Sequence, residues 1–297
     1  MKIIKIIINI LRFIKKIFVS IYIYTRFNII KFSPSDYLSI AAIMKNEGQY
    51  IVEWIEYHLL LGVSKFYIYD NESDDNTKEL LTPYIEKDIV DYNYCEGIGK
   101  QHFAYKKILK KARTKTYWLA VIDLDEFIVP VLNQNLPEFL KEFEGLAGIE
   151  INWLIYGSGG KDKNEKGLVL ERFKDHAKND FYKNKYVKTI LNPRFAYYIH
   201  CHISDYIFGK YSVNPNKEKI SMHYLERNII HLDKIRINHY YCKSHEEFLK
   251  KRARGRGTKN TIETRFNPME NFEIHDKNDI KNDPIMDKYI KQLYNNE

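Results

Sequence analysis

Short apolar segments alternate with helical segments along the first half of the chain, and this alternation restricts the fold more than any other feature. The apolar segments have the length and side chains of buried strands and lie at residues 38–44, 65–69, 89–94 and 118–122. Helical periodicity or capping residues mark the segments between them, at residues 50–61, 78–85 and 101–112. Continuously apolar strands separated by helices are typical of a parallel sheet that is covered on both faces. The sequence therefore predicts an α/β fold with a mostly parallel sheet.

The pattern is less regular after residue 130. Further strands are expected at residues 148–155, 187–190, 229–232 and 235–241. Helices are expected at residues 137–143, 248–254 and 286–294. Ser244 and Glu247 have the spacing of a capping box, which predicts that the second of these helices begins there.

Polar side chains follow three of the predicted strands at the points where the strands end. They are Lys45, Asn46 and Glu47 after the first strand, Asp70 at the end of the second, and Asp123 and Asp125 after the fourth. In open α/β sheets, ligands bind outside the carboxyl ends of the strands. Because three separate strands contribute polar residues there, the sequence predicts one binding site at this edge of the sheet.

Asp123 and Asp125 flank Leu124 at the end of the fourth strand. The alternation of a strand turns both carboxylates to one side, where two oxygen ligands suit Mn²⁺ or Mg²⁺. The alternative is a solvated acidic turn. His239 lies between apolar residues and is a candidate third metal ligand, although a histidine packed in the core is the other interpretation.

Asp70 and Lys243 are candidates for contact with a nucleotide. Asp70 could accept a hydrogen bond from the base, or it could form an Asx turn that caps the following helix. Lys243 precedes a basic helix, and we expect it to contact a phosphate. The other basic residues nearby are interpreted as surface residues, and they are Lys250, Lys251, Arg252, Arg254 and Arg256. The chain has no glycine-rich phosphate loop, which argues against an NTPase and an NAD-dependent enzyme.

Positive charge is concentrated at the start of the chain. Of the net charge of +8, seven positive residues precede the first acidic residue, Asp36, so the remainder is close to neutral. They are Lys2, Lys5, Arg12, Lys15, Lys16, Arg26 and Lys31. A protein that binds nucleic acid through its folded domain would carry its basic residues there, which argues against that function.

Residues 1–32 alternate basic and large apolar residues. If this segment is helical, Lys5, Asn9, Arg12, Lys16 and Ser20 form one polar stripe, with apolar residues over the rest of the surface. The pattern predicts a basic amphipathic helix that lies on an anionic membrane surface, with the protein at the cytoplasmic face of the membrane. A helix packed on the body of the protein is the alternative. A single-pass anchor is less favoured because charged residues interrupt the apolar run.

Several motifs together resemble those of glycosyltransferase family 92 and of bacterial relatives that are similar to family 2. The matching segments are KNE at 45–47, IVEWIEYH at 51–58, FYIYDN at 66–71, DLDEFIVP at 123–130 and NHY at 238–240. The similarity also includes Gly62, Trp153, GSGG at 157–160, ERF at 171–173, Lys243 with Ser244, and Arg254 with Gly255. It covers roughly residues 39–257, and the combination of motifs is specific although each motif alone is common.

The resemblance implies the GT-A fold, which is Rossmann-like with a mostly parallel sheet, and a D-x-D metal site. It also implies inverting transfer of a sugar, expected to be a hexose, from a nucleotide-diphospho-sugar for which UDP is the expected nucleotide. The residues expected to bind this donor are Lys45, Asn46, Glu47, Asp70, Gln101, Asp123 and Lys243. We expect a surface-glycan or glycolipid acceptor, with Trp153 as an exposed platform for its sugar. A carboxylate must accept the proton of the acceptor hydroxyl, and Glu171 and Asp162 are the candidates.

These observations divide the chain into a membrane-associating arm at residues 1–35, a GT-A domain at 36–257 and a polar tail at 258–297. The expected function is metal-dependent glycosyl transfer with Mn²⁺ or Mg²⁺. Two other functions fit the same residues. One is a sugar-nucleotide-binding protein without turnover, and the other is a peripheral membrane adaptor in which the arm carries the function.

Overall fold

The computed structural model describes residues 2–29, 32–133, 135–220, 227–255 and 268–295. The helices in these ranges are α1 (Lys2–Asn28), α2 (Ile51–Leu60), α3 (Thr77–Glu86), α4 (Gln101–Ala112), α5 (Leu136–Lys141), α6 (Val169–Arg172), α7 (His245–Arg254), α8 (Glu270–His275) and α9 (Asp287–Asn295). The strands are β1 (Asp36–Met44), β2 (Lys65–Asp70), β3 (Val90–Tyr94), β4 (Thr116–Val121), β5 (Glu126–Pro130), β6 (Gly148–Ile155), β7 (Val187–Leu191), β8 (Ala196–Ile199), β9 (Ser204–Tyr206), β10 (Ser212–Val213) and β11 (Ile235–His239).

The main sheet has the strand order β3-β2-β1-β4-β7-β6-β11-β5, and β10 pairs with β6. The first four strands are parallel, as β11 is to β6. Strand β7 runs antiparallel between β4 and β6, and β5 is antiparallel to β11. The structure thus confirms the expected α/β class and the mostly parallel, Rossmann-like sheet of a GT-A fold.

One predicted strand was wrong, and strand β5 of the main sheet was not predicted. Residues 229–232 form no strand, and Ile229 is exposed rather than buried in a sheet. Strand β5 begins at Glu126, directly after the D-x-D triplet, and no strand was predicted there. Its five residues are all buried, and it places the triplet in a tight turn between β4 and β5.

Residues 268–295 belong to the segment interpreted as a polar tail, and they pack on the core. Helix α9 buries Tyr289, Ile290 and Leu293, which lie on one face at helical spacing. The Tyr289 ring meets the Tyr57 ring of α2 edge to face, with centroids 5.2 Å apart. The predicted boundary at residue 257 lies outside the described residues.

Helix α1 contacts the body of the protein near its carboxyl end. Ser20 and Ile23 are buried, and the backbone N–H of Phe208 donates a hydrogen bond of 3.1 Å to Ser20 Oγ. The carboxyl-terminal part of the predicted polar stripe therefore faces the protein. The side chains of Lys5, Asn9 and Arg12 lie outside the described part of the structure.

Most of the apolar surface of α1 is exposed. The exposed residues are Ile7, Ile8, Ile10, Leu11, Phe13, Ile14, Phe18, Ile21, Tyr22 and Tyr24. Within the described residues, no helix combines the length and the apolar character that crossing a membrane requires.

Candidate active site

A cavity of about 330 Å³ opens at the carboxyl ends of the parallel strands. The side chains that line it come from the segments after β1, β2 and β4, from the start of α4, from β6 and β11, and from the end of α7. Six of the predicted site residues meet there, namely Lys45, Glu47, Gln101, Asp123, Asp125 and His239. The expectation that separate strand ends contribute to one site is therefore consistent with the geometry.

Asp125 lines this cavity and is itself buried. Its Oδ2 is 2.5 Å from Lys251 Nζ and 3.5 Å from His239 Nε2. Burial alone would raise the pKa of Asp125, but the charge of Lys251 and the interaction with His239 hold that pKa well below its usual value. Burial lowers the pKa of His239, which favours the neutral imidazole that can bind a metal.

Asp123 is positioned by a lysine that the sequence analysis did not identify. Lys188 is buried on β7, with its Nζ 2.6 Å from Asp123 Oδ2 and 3.3 Å from Glu126 Oε2. Glu126 in turn accepts a hydrogen bond of 2.9 Å from the backbone N–H of Asp123. The signal in the sequence was a single charged residue within the otherwise uncharged strand VKTIL.

The fit of a divalent cation depends on Asp125 and His239. Their facing atoms, Oδ2 and Nε2, are close enough for both to contact one ion, and both residues line the cavity. Within the described ranges, no cluster of three or more His, Cys, Asp or Glu residues could hold a metal by itself. Mg²⁺ and similar ions are often held by one or two carboxylates together with substrate phosphates, so this pair fits a cation that a diphosphate completes. Asp123 lies on the same edge but is bound to Lys188.

The cavity also presents two buried hydrogen-bond acceptors that lack donors in the described residues. Gln101 donates a hydrogen bond of 3.0 Å to the Tyr105 hydroxyl, while its Oε1 is buried without a partner in the described residues. Glu47 Oε1 pairs with Arg254 at 2.5 Å. Glu47 Oε2 is buried and likewise has no partner in the described residues. Buried acceptors are nearly always satisfied, so these two atoms suit N–H or O–H groups of a ligand.

Asp70 does not line the cavity. Its Oδ1 accepts the backbone N–H of Ser73 at 2.8 Å, and its Oδ2 accepts the Tyr92 hydroxyl at 2.8 Å. This is the Asx-turn arrangement that was the alternative interpretation. The next two residues, Asn71 and Glu72, line the cavity in its place.

Asn46 also lies outside the lining of the cavity, because its side chain joins two loops instead. Its Nδ2 donates to Asp74 Oδ1 at 2.7 Å, and its Oδ1 accepts the backbone N–H of Asp74 at 3.0 Å. The backbone φ of Asn46 is 52°, a conformation that asparagine tolerates better than most residues.

The basic residues of α7, and Lys243 just before that helix, are arranged differently from the prediction. Lys243, the expected phosphate contact, lines a neighbouring cavity with its ammonium 4.0 Å from the centre of the Tyr50 ring. Lys251 and Arg254, interpreted as surface residues, line the main cavity instead. Arg254 donates to the backbone carbonyl of Lys45 at 2.9 Å, which ties α7 to the loop after β1. The sequence places Lys251 and Arg254 on a helix but does not show which side of it faces the sheet. Arg256 lies outside the described residues.

Neither candidate for the catalytic base lies in the cavity. Asp162 is exposed, and Glu171 is exposed with its Oε2 accepting a hydrogen bond of 2.6 Å from the Tyr294 hydroxyl. A base must come within hydrogen-bond reach of the reacting hydroxyl, so the geometry does not support either role. Trp153 does line the cavity, but it is buried rather than exposed, with its ring centroid 4.2 Å from that of His239.

The model of glycosyltransferase family 92 matches residues 38–283, which include every residue that lines the main cavity. A family 92 protein of Oryza sativa subsp. japonica is 26% identical over 171 residues, which are 55% of this chain and 29% of that protein. A family 92 protein of Ricinus communis is 33% identical over 94 residues, which are 30% of this chain and 16% of that protein.

The matched regions thus span less than a third of the length of these curated relatives. Among solved structures, it is similar to S. aureus TarS 1-349 in complex with UDP-GlcNAc, at 15% sequence identity and a TM-score of 0.36. That similarity covers 63% of this chain and 60% of TarS 1-349.

Proposed function

The chain belongs to glycosyltransferase family 92, and we propose that it transfers a sugar from a nucleotide-diphospho-sugar with inversion at the anomeric carbon. The observation that supports this most is the composition of the cavity. Asp125 and His239 face each other in its wall, and Gln101 and Glu47 line the same cavity, each with one buried acceptor that has no partner in the described residues. A donor that carries a base, a diphosphate and a sugar needs these kinds of contact along its length.

Asp125 and His239 would hold Mn²⁺ or Mg²⁺ in the proposed reaction. Such an ion offsets the negative charge that develops on a diphosphate leaving group. Lys188 holds Asp123 at the same edge through a 2.6 Å ion pair. Lys251 and Arg254 add two positive charges to the wall of the cavity. The chain therefore supplies both carboxylates and cations where the diphosphate would lie.

The unpaired acceptors favour a base with an N–H group, and UDP is the nucleotide we propose. Gln101 Oε1 and Glu47 Oε2 are the atoms available to accept from the base or the ribose. The proposed acceptor is a surface glycan or a glycolipid. Because Glu171 and Asp162 lie away from the cavity, the proposal assigns neither of them the proton of the acceptor hydroxyl.

Helix α1 would hold the enzyme at the cytoplasmic face of a membrane with an anionic surface. Its exposed apolar side chains, such as Leu11 and Phe18, form a larger apolar surface than soluble domains usually leave uncovered. Lys15 and Arg26 are exposed on the same helix. Apolar burial and attraction to anionic lipid would then act together.

The function can be tested by screening nucleotide sugars with the full chain. In the presence of Mn²⁺, one UDP-sugar should raise the melting temperature, and UDP should be released when an acceptor extract is added. Asp125→Asn should abolish the release. A donor that binds without any turnover would indicate a sugar-nucleotide-binding protein, and a chain that binds only vesicles would indicate a membrane adaptor.

A further inference from the structure

Lys251 occupies the position next to Asp125 where a divalent cation would bind. Its ammonium lies 2.5 Å from Asp125 Oδ2 and also donates to the backbone carbonyl of Tyr241 at 2.9 Å. The same ammonium lies 3.8 Å from the centre of the Tyr241 ring. Three separate contacts therefore hold one positive charge on the carboxylate that faces His239.

A divalent cation on Asp125 Oδ2 would compete with this ammonium for the same oxygen. Asp125 and Lys251 are both largely removed from solvent, so the repulsion between two cations would be poorly screened. His239 Nε2 faces the same oxygen from 3.5 Å and is the other atom available to the ion. Metal binding by Asp125 Oδ2 and His239 Nε2 together consequently requires Lys251 to leave that oxygen.

The displaced ammonium would remain beside the cavity. Lys251 is on α7, one turn before Arg254, and both side chains line the cavity. Arg254 is held there by Glu47 and by the backbone carbonyl of Lys45. A lysine side chain is long and flexible, and a compact ammonium is a common partner of phosphate oxygens.

We propose that Lys251 is the resident counter-ion of Asp125, that it competes with the divalent cation for this carboxylate, and that once displaced it binds the diphosphate of the donor beside Arg254. This inference rests on the proposed function for the identity of the donor. Its first part concerns the metal alone and is independent of catalysis.

The test compares wild type with Lys251→Met and with Lys250→Met as a matched control. Lys250 precedes Lys251 on the same helix, but its side chain is 62% exposed and pairs with Glu246. Binding of Mn²⁺ alone is followed by electron paramagnetic resonance of the free ion, and binding of UDP in saturating Mn²⁺ is followed by calorimetry.

Lys251→Met should bind Mn²⁺ at least about tenfold more tightly than wild type, because the competing cation is gone. The same variant should bind UDP about tenfold more weakly in saturating Mn²⁺, since a charge-assisted contact to the diphosphate is lost. Lys250→Met should match wild type in both measurements. These opposite changes would not arise from a general loss of structure.

Lys251→Met leaves Asp125 as a buried carboxylate without its counter-ion, so its fold is monitored by melting temperature. Without metal the variant should melt below wild type, and Mn²⁺ should raise its melting temperature more than that of wild type. Equal or weaker Mn²⁺ affinity in Lys251→Met, or no Mn²⁺ binding by either protein, would overturn the competition. Unchanged UDP affinity would overturn the diphosphate contact. Failure of the proposed function would instead appear as tight Mn²⁺ binding with no turnover of any nucleotide sugar.

Discussion

Lys188 Nζ lies 2.6 Å from Asp123 Oδ2, which joins the middle of β7 to the D-x-D turn across 65 positions of sequence. The lysine is fully buried and also contacts Glu126, which is itself fully buried. The edge of the sheet that carries the proposed metal site therefore depends on a lysine that does not itself line the cavity. Its removal would leave two carboxylates without their counter-ion.

Lys188→Met should lower the free energy of unfolding by about 3–5 kcal/mol, the usual scale when one partner of a buried ion pair is removed. Urea denaturation of the full chain measures this. Lys178→Met, which replaces an exposed lysine, should change the free energy of unfolding by less than about 0.5 kcal/mol. Equal stability of the two variants would mean that Lys188 is not required to balance the charges at the turn.

Removal of divalent metal should abolish sugar transfer, and added Mn²⁺ or Mg²⁺ should restore it. The reason is that Asp125 and His239 offer two ligand atoms at the cavity, with the diphosphate completing the coordination. Transfer is measured by UDP release after EDTA treatment and after addition of metal. Full activity in EDTA, or full activity of Asp125→Asn, would contradict the metal assignment.

Glu53 makes the stability of the fold depend on pH. Burial raises the pKa of Glu53 to about 7, although its carboxylate accepts the backbone N–H groups of Val169 and Leu170. Because the folded state keeps its proton to a higher pH than the unfolded chain does, this stabilisation is fully present below about pH 4.5 and is lost as the pH rises through 7. The shift corresponds to a loss on the order of 3 kcal/mol.

Glu53→Gln removes the titrating group and keeps the shape of the side chain. The free energy of unfolding should therefore fall between pH 5 and pH 7.5 by more in wild type than in this variant. Urea denaturation of both proteins at the two pH values measures the difference. A difference between wild type and variant that does not change with pH would show that Glu53 does not titrate in this range.

The sequence was sufficient to predict the strands and helices whose pattern is contained in consecutive residues. Strand β6 and helix α4 have the predicted bounds, because continuous burial and helical periodicity are properties of consecutive residues. Strand β5 escaped prediction because pairing with β11 stabilises it, and that partner lies more than 100 residues away. Non-local pairing of this kind leaves no periodic signal in a short segment.

Site residues could be predicted from the sequence when it gave both the type of the residue and its position at the end of a strand. Asp123 and Asp125 lie in the cavity because β4 ends there. Lys251 was missed because the rotation of α7 against the sheet is set by tertiary packing. Lys243 precedes that helix and lines a neighbouring cavity. The motif around Glu171 likewise did not show that this side chain would be exposed and bound to the Tyr294 hydroxyl, because tertiary packing decides this too.

Vesicle binding should depend on the basic residues of α1. Changing Arg12, Lys15 and Lys16 to Gln should weaken binding to anionic vesicles by roughly two orders of magnitude, because each basic residue near such a surface contributes about 1 kcal/mol. High salt should release the protein only in part, since it screens the charges and leaves the apolar contact. Co-sedimentation at two salt concentrations measures both effects.

A matched control changes Lys106, Lys107 and Lys110 on α4 to Gln, which removes the same charge from exposed positions on the body. This control should bind vesicles like wild type if the attraction is local to α1, because the field of the surface fades within a Debye length of about 10 Å. Transfer to a soluble acceptor should be unaffected in both triple variants, since neither set of residues lines the cavity. Equal loss of binding in the two variants would mean that the net charge of the protein, and not the local charge of α1, attracts it to the membrane. No loss in the α1 variant would mean that the apolar face alone holds the helix on the bilayer.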